Sequence, residues 1–183
     1  LVGIVAECVI DGGVVLSGAR KGLVANRMTL PLVTVWSSQN VLLAAPLARG
    51  ETLIENAARE PEVADVARCL NKMGARIEGI GTSTLRVAGV SQLEGATHTV
   101  LPDRIETGTY AMAVAATGGD VELVGAKRDL LETAFDVLSQ AGAEISDTPD
   151  GVRIKRNGNG IRPVSVETQP FPGFPTDLQA QFM

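Results

Sequence analysis

Two apolar patterns take turns along this chain, and their order repeats. Short apolar runs beside Gly, Pro or Asn are typical of strands, whereas longer segments with apolar residues three and four apart are typical of helices. The repeat is about 69 residues long: Gly50 recurs at Gly119, and Gly74, placed to end a helix, recurs at Gly142. The pattern predicts modules of the form β-α-β-α-β-β.

The first complete module begins near Met28, and Pro61 fits the first position of its second helix. Its predicted elements are a strand at 32–35, a helix from a Ser37 cap to Ala48 that buries Val41, Leu42, Ala45 and Leu47, a strand at 52–54, a helix from Pro61 with Val63, Val66, Ala67, Leu70 and Met73 on one face, and a hairpin of 76–79 with 85–87. Ahead of this module, residues 6–9 and 14–16 predict a hairpin that turns at 11–13.

The second module follows the same order. Asp103 is a good helix cap, and Glu106 stands where its carboxylate can reach back to the cap. Its predicted elements are a strand ending at Leu101, a helix over 104–117, a break at Gly118-Gly119, a strand at 121–124, a helix over 128–141 that buries Leu130, Leu131, Ala134, Val137 and Leu138, and a hairpin of 143–145 with 152–154. A third copy begins with a strand at 164–166 and reaches a helix start at 175–179.

The first helix of each module is apolar nearly all round, which is typical of a buried helix. One interpretation places the helices inside and the sheets outside. The other is an ordinary α/β sandwich whose Ala-rich helices are partly exposed. The pattern alone does not choose between these two interpretations of the α/β fold.

Composition narrows the class of protein. The 183 residues are 45% hydrophobic, which is enough for a substantial core, and the net charge of −5 disfavours a nucleic-acid surface. No apolar run approaches the roughly 20 residues of a membrane span. Two cysteines without a secretion signal indicate a reduced, cytoplasmic protein. No metal-ligand spacing is present, so we expect no metal and no cofactor, no nucleic acid and no membrane among the partners.

Chemistry-bearing residues are few. The helix N-termini of the modules could bind anions or could simply be well capped. Asp177 could cap the last helix, or Thr176 could cap it and leave Asp177 free as an acid or base. His98 is predicted to lie on the surface, and Cys8 and Cys69 are predicted to be small buried residues rather than nucleophiles.

Three strings carry a family resemblance: residues 54–62 (IENAAREPE), 100–109 (VLPDRIETGT) and 174–181 (FPTDLQAQ). Together they resemble the UDP-N-acetylglucosamine enolpyruvyl transferases (1-carboxyvinyltransferases) of peptidoglycan synthesis; the related shikimate-pathway transferases share the fold without these strings. The resemblance implies an inside-out α/β barrel of two domains with the active site between them. Residues 1–100 would be the C-terminal part of one domain, and residues 101–183 the first part of the other. The chain starts at Leu1 without an initiator Met and stops at Met183 early in a predicted helix, so we expect a piece of a longer protein.

The chemistry that the resemblance implies is addition followed by elimination. The 3-hydroxyl of UDP-N-acetylglucosamine attacks C2 of phosphoenolpyruvate while C3 gains a proton, and the intermediate then loses phosphate. The family's Asp matches Asp177, which would act as general base on the hydroxyl, at C3, or on both, beside Thr176. The family's cysteine-bearing loop would lie upstream of Leu1, so neither Cys8 nor Cys69 takes that role, and we expect this chain to be inactive alone.

The loop that holds the uridine diphosphate in this family reads roughly Lys-Val-Ser-Val-Gly. Residues Val33, Thr34 and Val35 match it, but Leu32 stands in place of the Lys and Trp36 in place of the Gly. One interpretation is weakened nucleotide binding, or a non-catalytic ligand-binding paralogue. The other is that Trp36 stacks on the uracil. Because the chain would expose half of each barrel, we also expect it to self-associate.

Overall fold

The computed structural model describes the backbone of residues 5–9, 13–17, 22–158 and 160–183, and the side chains from residue 22 onward except at 159. The chain divides into two compact units, Leu1–Val100 and Leu101–Met183. Each unit packs helices against an antiparallel or mixed sheet.

The first unit contains a hairpin and a four-stranded sheet. The sheet has the order β3-β4-β6-β5, with β3 parallel to β4 and the other pairs antiparallel. The strands are β1 (Val5–Val9), β2 (Gly13–Ser17), β3 (Arg27–Thr29), β4 (Glu51–Glu55), β5 (Arg76–Glu78) and β6 (Thr84–Ala88); the helices are α1 (Val35–Ala44) with a 3-10 turn at Ala45–Leu47, and α2 (Pro61–Lys72).

Alternation along the strands sets the core of this unit. Ile54 in β4 and Val87 in β6 are fully buried, while Glu51 and Arg86, which point to the other face of the same strands, are exposed. Helix α2 lays its apolar face over this sheet through Val63, Ala67 and Leu70. Pro61 begins α2, and Gly74 follows its end with a φ of +97°, a conformation that suits Gly.

The second unit is a three-stranded antiparallel sheet of order β7-β9-β8 with helices packed on it. Phe135, Ile154 and Leu178 are fully buried at its centre. The strands are β7 (Gly119–Val124), β8 (Glu144–Asp147) and β9 (Gly151–Arg156); the helices are α3 (Arg104–Thr117), α4 (Glu132–Ala141) after a 3-10 turn at Arg128–Leu130, and α5 (Gln179–Phe182) after a 3-10 turn at Thr176–Leu178.

The predicted module order is confirmed in the first unit, where β3-α1-β4-α2-β5-β6 follow in sequence. Helix α3 spans the predicted residues, and Asp103 caps it by accepting the Ile105 and Glu106 amides at 2.8 and 3.1 Å. The hairpin of β1 and β2 is also as predicted; its turn at Asp11 and Gly12 lies outside the described residues.

Three predicted strands are wrong. Residues 32–35, the segment ending at Leu101 and residues 164–166 form no strand. The first strand of the module is β3 instead, which ends before residue 32. The amide of Leu30 makes the last hydrogen bond of the ladder, to the Glu55 carbonyl at 3.0 Å, and Pro31 has no amide hydrogen with which to extend the ladder. An apolar run becomes a strand only where a partner edge is present; beyond residue 160 the described chain pairs only at the Thr168–Phe174 bridge.

Helix packing also differs from the prediction in detail. Leu47 is half exposed rather than buried, and the helix predicted over 128–141 is divided at Leu131, whose φ of −140° is not helical. Helix α1 buries only Ser38, Val41 and Leu42, so it is one-sided within this unit. The described residues form an α/β fold and no closed barrel.

An ion pair joins the two parallel strands of the first unit. Arg27 donates to both carboxylate oxygens of Glu55, at 2.9 and 2.6 Å, and the Thr29 hydroxyl donates to the same carboxylate at 2.8 Å. The hydrogen bond from Arg27, followed by the one from Thr29, lowers the pKa of the Glu55 carboxyl below its ordinary value of 4.5. A lowered pKa in the folded state contributes stability above the ordinary pKa and loses it as the pH falls through the lowered one.

We therefore expect the Glu55→Gln variant to lose less stability than the wild type as the pH falls below 4.5, because Gln cannot be protonated in that range. The measurement is the free energy of unfolding by urea at pH 7 and at steps below pH 4.5. Glu78→Gln is the control, since the Glu78 carboxylate has no ion pair among the described side chains. Equal effects of the two substitutions would contradict the assignment to the Arg27 pair.

Candidate functional site

The turn before α1 carries the first group of predicted site residues. Thr34 is the cap of α1: its hydroxyl oxygen accepts the Ser37 amide at 3.2 Å and its carbonyl accepts the Ser38 amide at 3.1 Å. The cap is thus Thr34, one turn earlier than the predicted Ser37. The Thr34 hydroxyl still has its own hydrogen to donate. Val35 packs against the core, whereas Val33 is exposed.

The amides of Val35 and Trp36 point out of the first turn of α1 and bind no acceptor among the described residues. No acidic residue lies in this turn, whereas α2, α3 and α4 carry Glu62, Glu106 and Glu132 in theirs. Acidic residues in a first turn offset the partial positive charge of a helix N-terminus. The start of α1 is therefore electrostatically open to an anion.

The turn that follows β4 fixes this loop. Ser38 is fully buried, and its hydroxyl donates to the Thr34 carbonyl and accepts the Ala58 amide, both at 2.8 Å. Asn56 donates from its side chain to the Leu30 carbonyl at 2.9 Å. Asn56 has a φ of +59°, a left-handed conformation that Asn tolerates better than most residues. Sequence reasoning missed both residues as positioning groups, although Asn56 lies in one of the three family strings.

The second group of predicted site residues lies in the other unit. Thr176 and Asp177 are exposed in the 3-10 turn Thr176–Leu178, which Pro175 precedes. No side chain caps this turn, so the predicted cap role of Asp177 and the alternative cap role of Thr176 are both wrong. Because neither side chain is engaged by the helix, the Asp177 carboxylate faces solvent.

The residue after Asp177 anchors this turn. Leu178 is fully buried against α3, where Gly108 leaves space for it: a Cβ at Gly108 would lie 2.5 Å from Leu178 Cδ1. On the other side, Thr133 of α4 donates from its hydroxyl to the Pro172 carbonyl at 2.6 Å. Phe174 is buried and meets Phe182 edge-on, with ring centroids 5.5 Å apart. The exposed Asp177 carboxylate therefore lies on a turn that is held in place by packing on both sides.

Two other predicted residues differ from expectation. His98 is not on the surface: its side chain is 11% exposed, and its Nε2 lies 3.1 Å from Asp65 Oδ1 without forming a hydrogen bond. Cys69 is a free thiol that is partly exposed. Cys8 lies in β1.

Within the described ranges, no group of three or more His, Cys, Asp or Glu side chains could hold a metal ion. None of the described helices has the length and apolar character needed to cross a membrane.

Solved structures define the class of fold. The chain superposes on the enolpyruvyl transferase NikO from Streptomyces tendae with a TM-score of 0.77 at 21% identity, covering 98% of this chain and 45% of that one. It superposes on an EPSP synthase from Acinetobacter baumannii with a TM-score of 0.59 at 21% identity, covering 84% of this chain and 37% of that one. The fold is that of the enolpyruvyl transferases.

The family follows from the sequence. The family model described as EPSP synthase (3-phosphoshikimate 1-carboxyvinyltransferase) matches residues 6–183, and the chain belongs to this family. It is 62% identical over 178 residues to a UDP-N-acetylglucosamine 1-carboxyvinyltransferase from Xanthobacter autotrophicus, and 62% identical over 178 residues to one from Methylorubrum populi.

These relatives confirm the resemblance carried by the three strings. The match covers 97% of this chain but only 42% of each relative, so the chain spans about two fifths of their length.

We expect Gly108→Ala to destabilise the protein by about 1 kcal/mol, because overpacking against Leu178 costs about 1 to 3 kcal/mol and the better helix propensity of Ala returns part of it. The measurement is the free energy of unfolding in urea. The matched test is the same substitution combined with Leu178→Ala, which removes the atoms that a new Cβ would meet. In that background Gly108→Ala should be neutral or stabilising; an unchanged penalty would contradict the contact.

Proposed function

We propose that the full-length protein transfers the enolpyruvyl group of phosphoenolpyruvate to the 3-hydroxyl of UDP-N-acetylglucosamine, in peptidoglycan synthesis in the cytoplasm. The observation that carries the proposal is the 62% identity, over 97% of this chain, to proteins named for this activity. The family model bears the name of the shikimate-pathway transferase. The 62% identity to the UDP-N-acetylglucosamine transferases favours the sugar nucleotide over 3-phosphoshikimate as the substrate.

The turn before α1 is assigned to the uridine diphosphate. The hydroxyl of Thr34 and the amides of Val35 and Trp36 are donors with no acidic residue beside them, which suits phosphate oxygens. Val33 adds exposed apolar surface next to them. Leu32 cannot supply the charge of the Lys in the family's loop, so the backbone and Thr34 carry more of the binding here.

Asp177 is assigned the role of general base. Its exposed carboxylate, on a turn anchored by Leu178, can take the proton of the 3-hydroxyl as the oxygen forms its bond to C2 of phosphoenolpyruvate. C3 of phosphoenolpyruvate gains a proton from a group outside this chain. When the intermediate collapses, C3 releases a proton, the C2–O bond to phosphate breaks and phosphate leaves. Thr176, exposed beside Asp177, is assigned a contact to the substrate.

The complete architecture is part of the proposal. Residues 1–100 would form the C-terminal part of one domain and residues 101–183 the first part of the next, each completed as an inside-out α/β barrel. Leu43 and Leu47 support this, because they are half exposed on or just after α1, on the side away from the core of the first unit. Apolar surface of this kind is normally covered, and the chain by itself would cover it by self-association.

A second candidate is a ligand-binding paralogue without catalysis. Leu32 and Trp36 favour it, because both depart from the family's loop and both are more than two thirds exposed at the site. Phosphate release by the full-length protein separates the two candidates, because the transferase releases phosphate and the paralogue binds a ligand without releasing phosphate.

For the transferase, we expect Asp177→Asn to lower the rate of phosphate release about 100-fold or more, since general acid–base catalysis contributes about 10² to 10⁴. The affinity for UDP-N-acetylglucosamine, measured by calorimetry, should fall far less than the rate of phosphate release. Asp147→Asn, an exposed carboxylate on β8, is the control and should behave as the wild type. A rate within threefold of wild type would remove Asp177 from the mechanism.

We also expect Thr34→Val to weaken UDP-N-acetylglucosamine binding about tenfold, because a hydrogen bond to a charged group is worth about 1.5 to 3 kcal/mol. Thr34→Ser keeps the hydroxyl and should bind like the wild type. Both affinities are read from the same calorimetric titration. If the Thr34→Ser and Thr34→Val variants bind UDP-N-acetylglucosamine equally well, the Thr34 hydroxyl does not contact the nucleotide.

A further inference from the structure

The chain leaves the sheet of the second unit through a sequence rich in asparagine and glycine. Strand β9 ends at Arg156, and residues 157–160 read Asn-Gly-Asn-Gly. Asparagine is one of the thermolabile residues, and its lability depends on the residue that follows it. The four other asparagines of the chain precede Arg, Val, Ala or Lys. Asn159 lies outside the described residues, whereas Asn157 and Gly158 are both described.

Asn157 and Gly158 lie beyond the last paired position of the sheet. The final pair of the β7–β9 ladder is Gly119 with Arg156, and the two residues that follow Arg156 are exposed. Among the described residues, neither the Asn157 side chain nor the Gly158 amide has a hydrogen-bond partner. The fold therefore leaves the carboxamide free to turn and the amide nitrogen accessible.

Gly158 also leaves the space around its amide open. Apart from its chain neighbours, no atom lies within 4 Å of where a Cβ at Gly158 would be, and its φ is outside the left-handed range. Without a side chain, the Gly158 amide can approach Cγ of Asn157 in conformations that other residues block. Because the two groups belong to adjacent residues, their reaction is intramolecular and gains the large advantage of proximity.

Asn71 shows the opposite arrangement within the same chain. Its side chain accepts the Ile77 amide at 2.8 Å and donates to the Ile77 carbonyl at 2.9 Å, so both ends of its carboxamide are bound. It lies in α2, and Lys72 follows it. Asn56 is also bound, through the Leu30 carbonyl. These carboxamides are not free to turn toward the next backbone nitrogen.

We propose that Asn157 is a site of spontaneous deamidation through a succinimide. The Gly158 amide nitrogen loses its proton to hydroxide from solvent and forms a bond to Cγ of Asn157. The Cγ–Nδ2 bond then breaks, and Nδ2 takes a proton from water and leaves as ammonia. Water opens the succinimide ring at either carbonyl carbon, which gives aspartate or isoaspartate at position 157. This reaction needs no substrate and does not depend on the proposed function.

The modification would change the end of the sheet. Arg156 donates from Nη2 to the Ala116 carbonyl, at 3.1 Å, near the end of α3. Deamidation places a carboxylate on the residue next to this guanidinium, and isoaspartate adds a methylene to the backbone directly after the last ladder pair. Modified chains would therefore differ from unmodified ones in charge and in local backbone.

The test incubates the full-length protein in its folded state, at neutral and at alkaline pH, and samples it over time. Peptide mapping by mass spectrometry detects the replacement of NH2 by OH, and fragmentation assigns it to residue 157 or 159. Labelling by isoaspartyl methyltransferase measures isoaspartate. The variants are Asn157→Gln, whose longer side chain forms the ring less readily, and Gly158→Ala, which the open space accommodates. Asn71 is the control within the same digest.

The expected result is aspartate and isoaspartate accumulating at position 157, faster at alkaline pH, while Asn71 stays unchanged. Asn157→Gln should abolish the product at this position, and Gly158→Ala should slow its formation severalfold.

No conversion of Asn157 in the folded protein, or conversion of Asn71 at the same rate, would overturn the assignment of this site. Equal rates in the wild type and Gly158→Ala, or aspartate formed without isoaspartate, would overturn the attack by the Gly158 nitrogen. Phosphate release plays no part in these outcomes, so the proposed function stands or falls separately.

Discussion

One buried hydroxyl holds the candidate nucleotide site together. Ser38 is fully enclosed, and its oxygen both donates to the Thr34 carbonyl and accepts the Ala58 amide. A buried polar group without partners would cost roughly 1 to 3 kcal/mol, so the start of α1 and the turn after β4 are held in one arrangement. Asn56 secures the other end of the same loop through the Leu30 carbonyl. The segment from Leu32 to Trp36 is therefore held in a defined position.

The second unit uses packing for the same purpose. Leu178 fills the space that Gly108 leaves on α3, and it carries the neighbouring Asp177 at the surface. A reactive carboxylate needs a defined position more than a stable contact of its own. In both units the groups assigned to substrate lie at least partly at the surface, and the adjoining residues that position them, Ser38 and Leu178, are completely buried.

Much of the fold could be predicted because local signals agree with the final packing. Asp103 and Gly118 bracket α3, and Pro61 and Gly74 bracket α2, so both helices lie where capping rules place them. The predicted strand over 32–35 failed for a different reason. Val33, Thr34 and Val35 are all good strand formers, but Pro31 ends the ladder and Thr34 begins the helix.

The sequence by itself determined the β-α-β-α-β-β order of the first unit, the caps of α2 and α3 and the family, because all of these depend on nearest neighbours or on contiguous strings. The tertiary structure alone decided which apolar residues are exposed. Trp36 and Leu42 look alike in a hydropathy pattern, yet one is 81% exposed and the other is fully buried. It also decided the burial of His98 against Asp65 and the contact of Ser38 with Ala58. These contacts join residues far apart in the chain, and no local pattern carries information about a partner that only folding brings near.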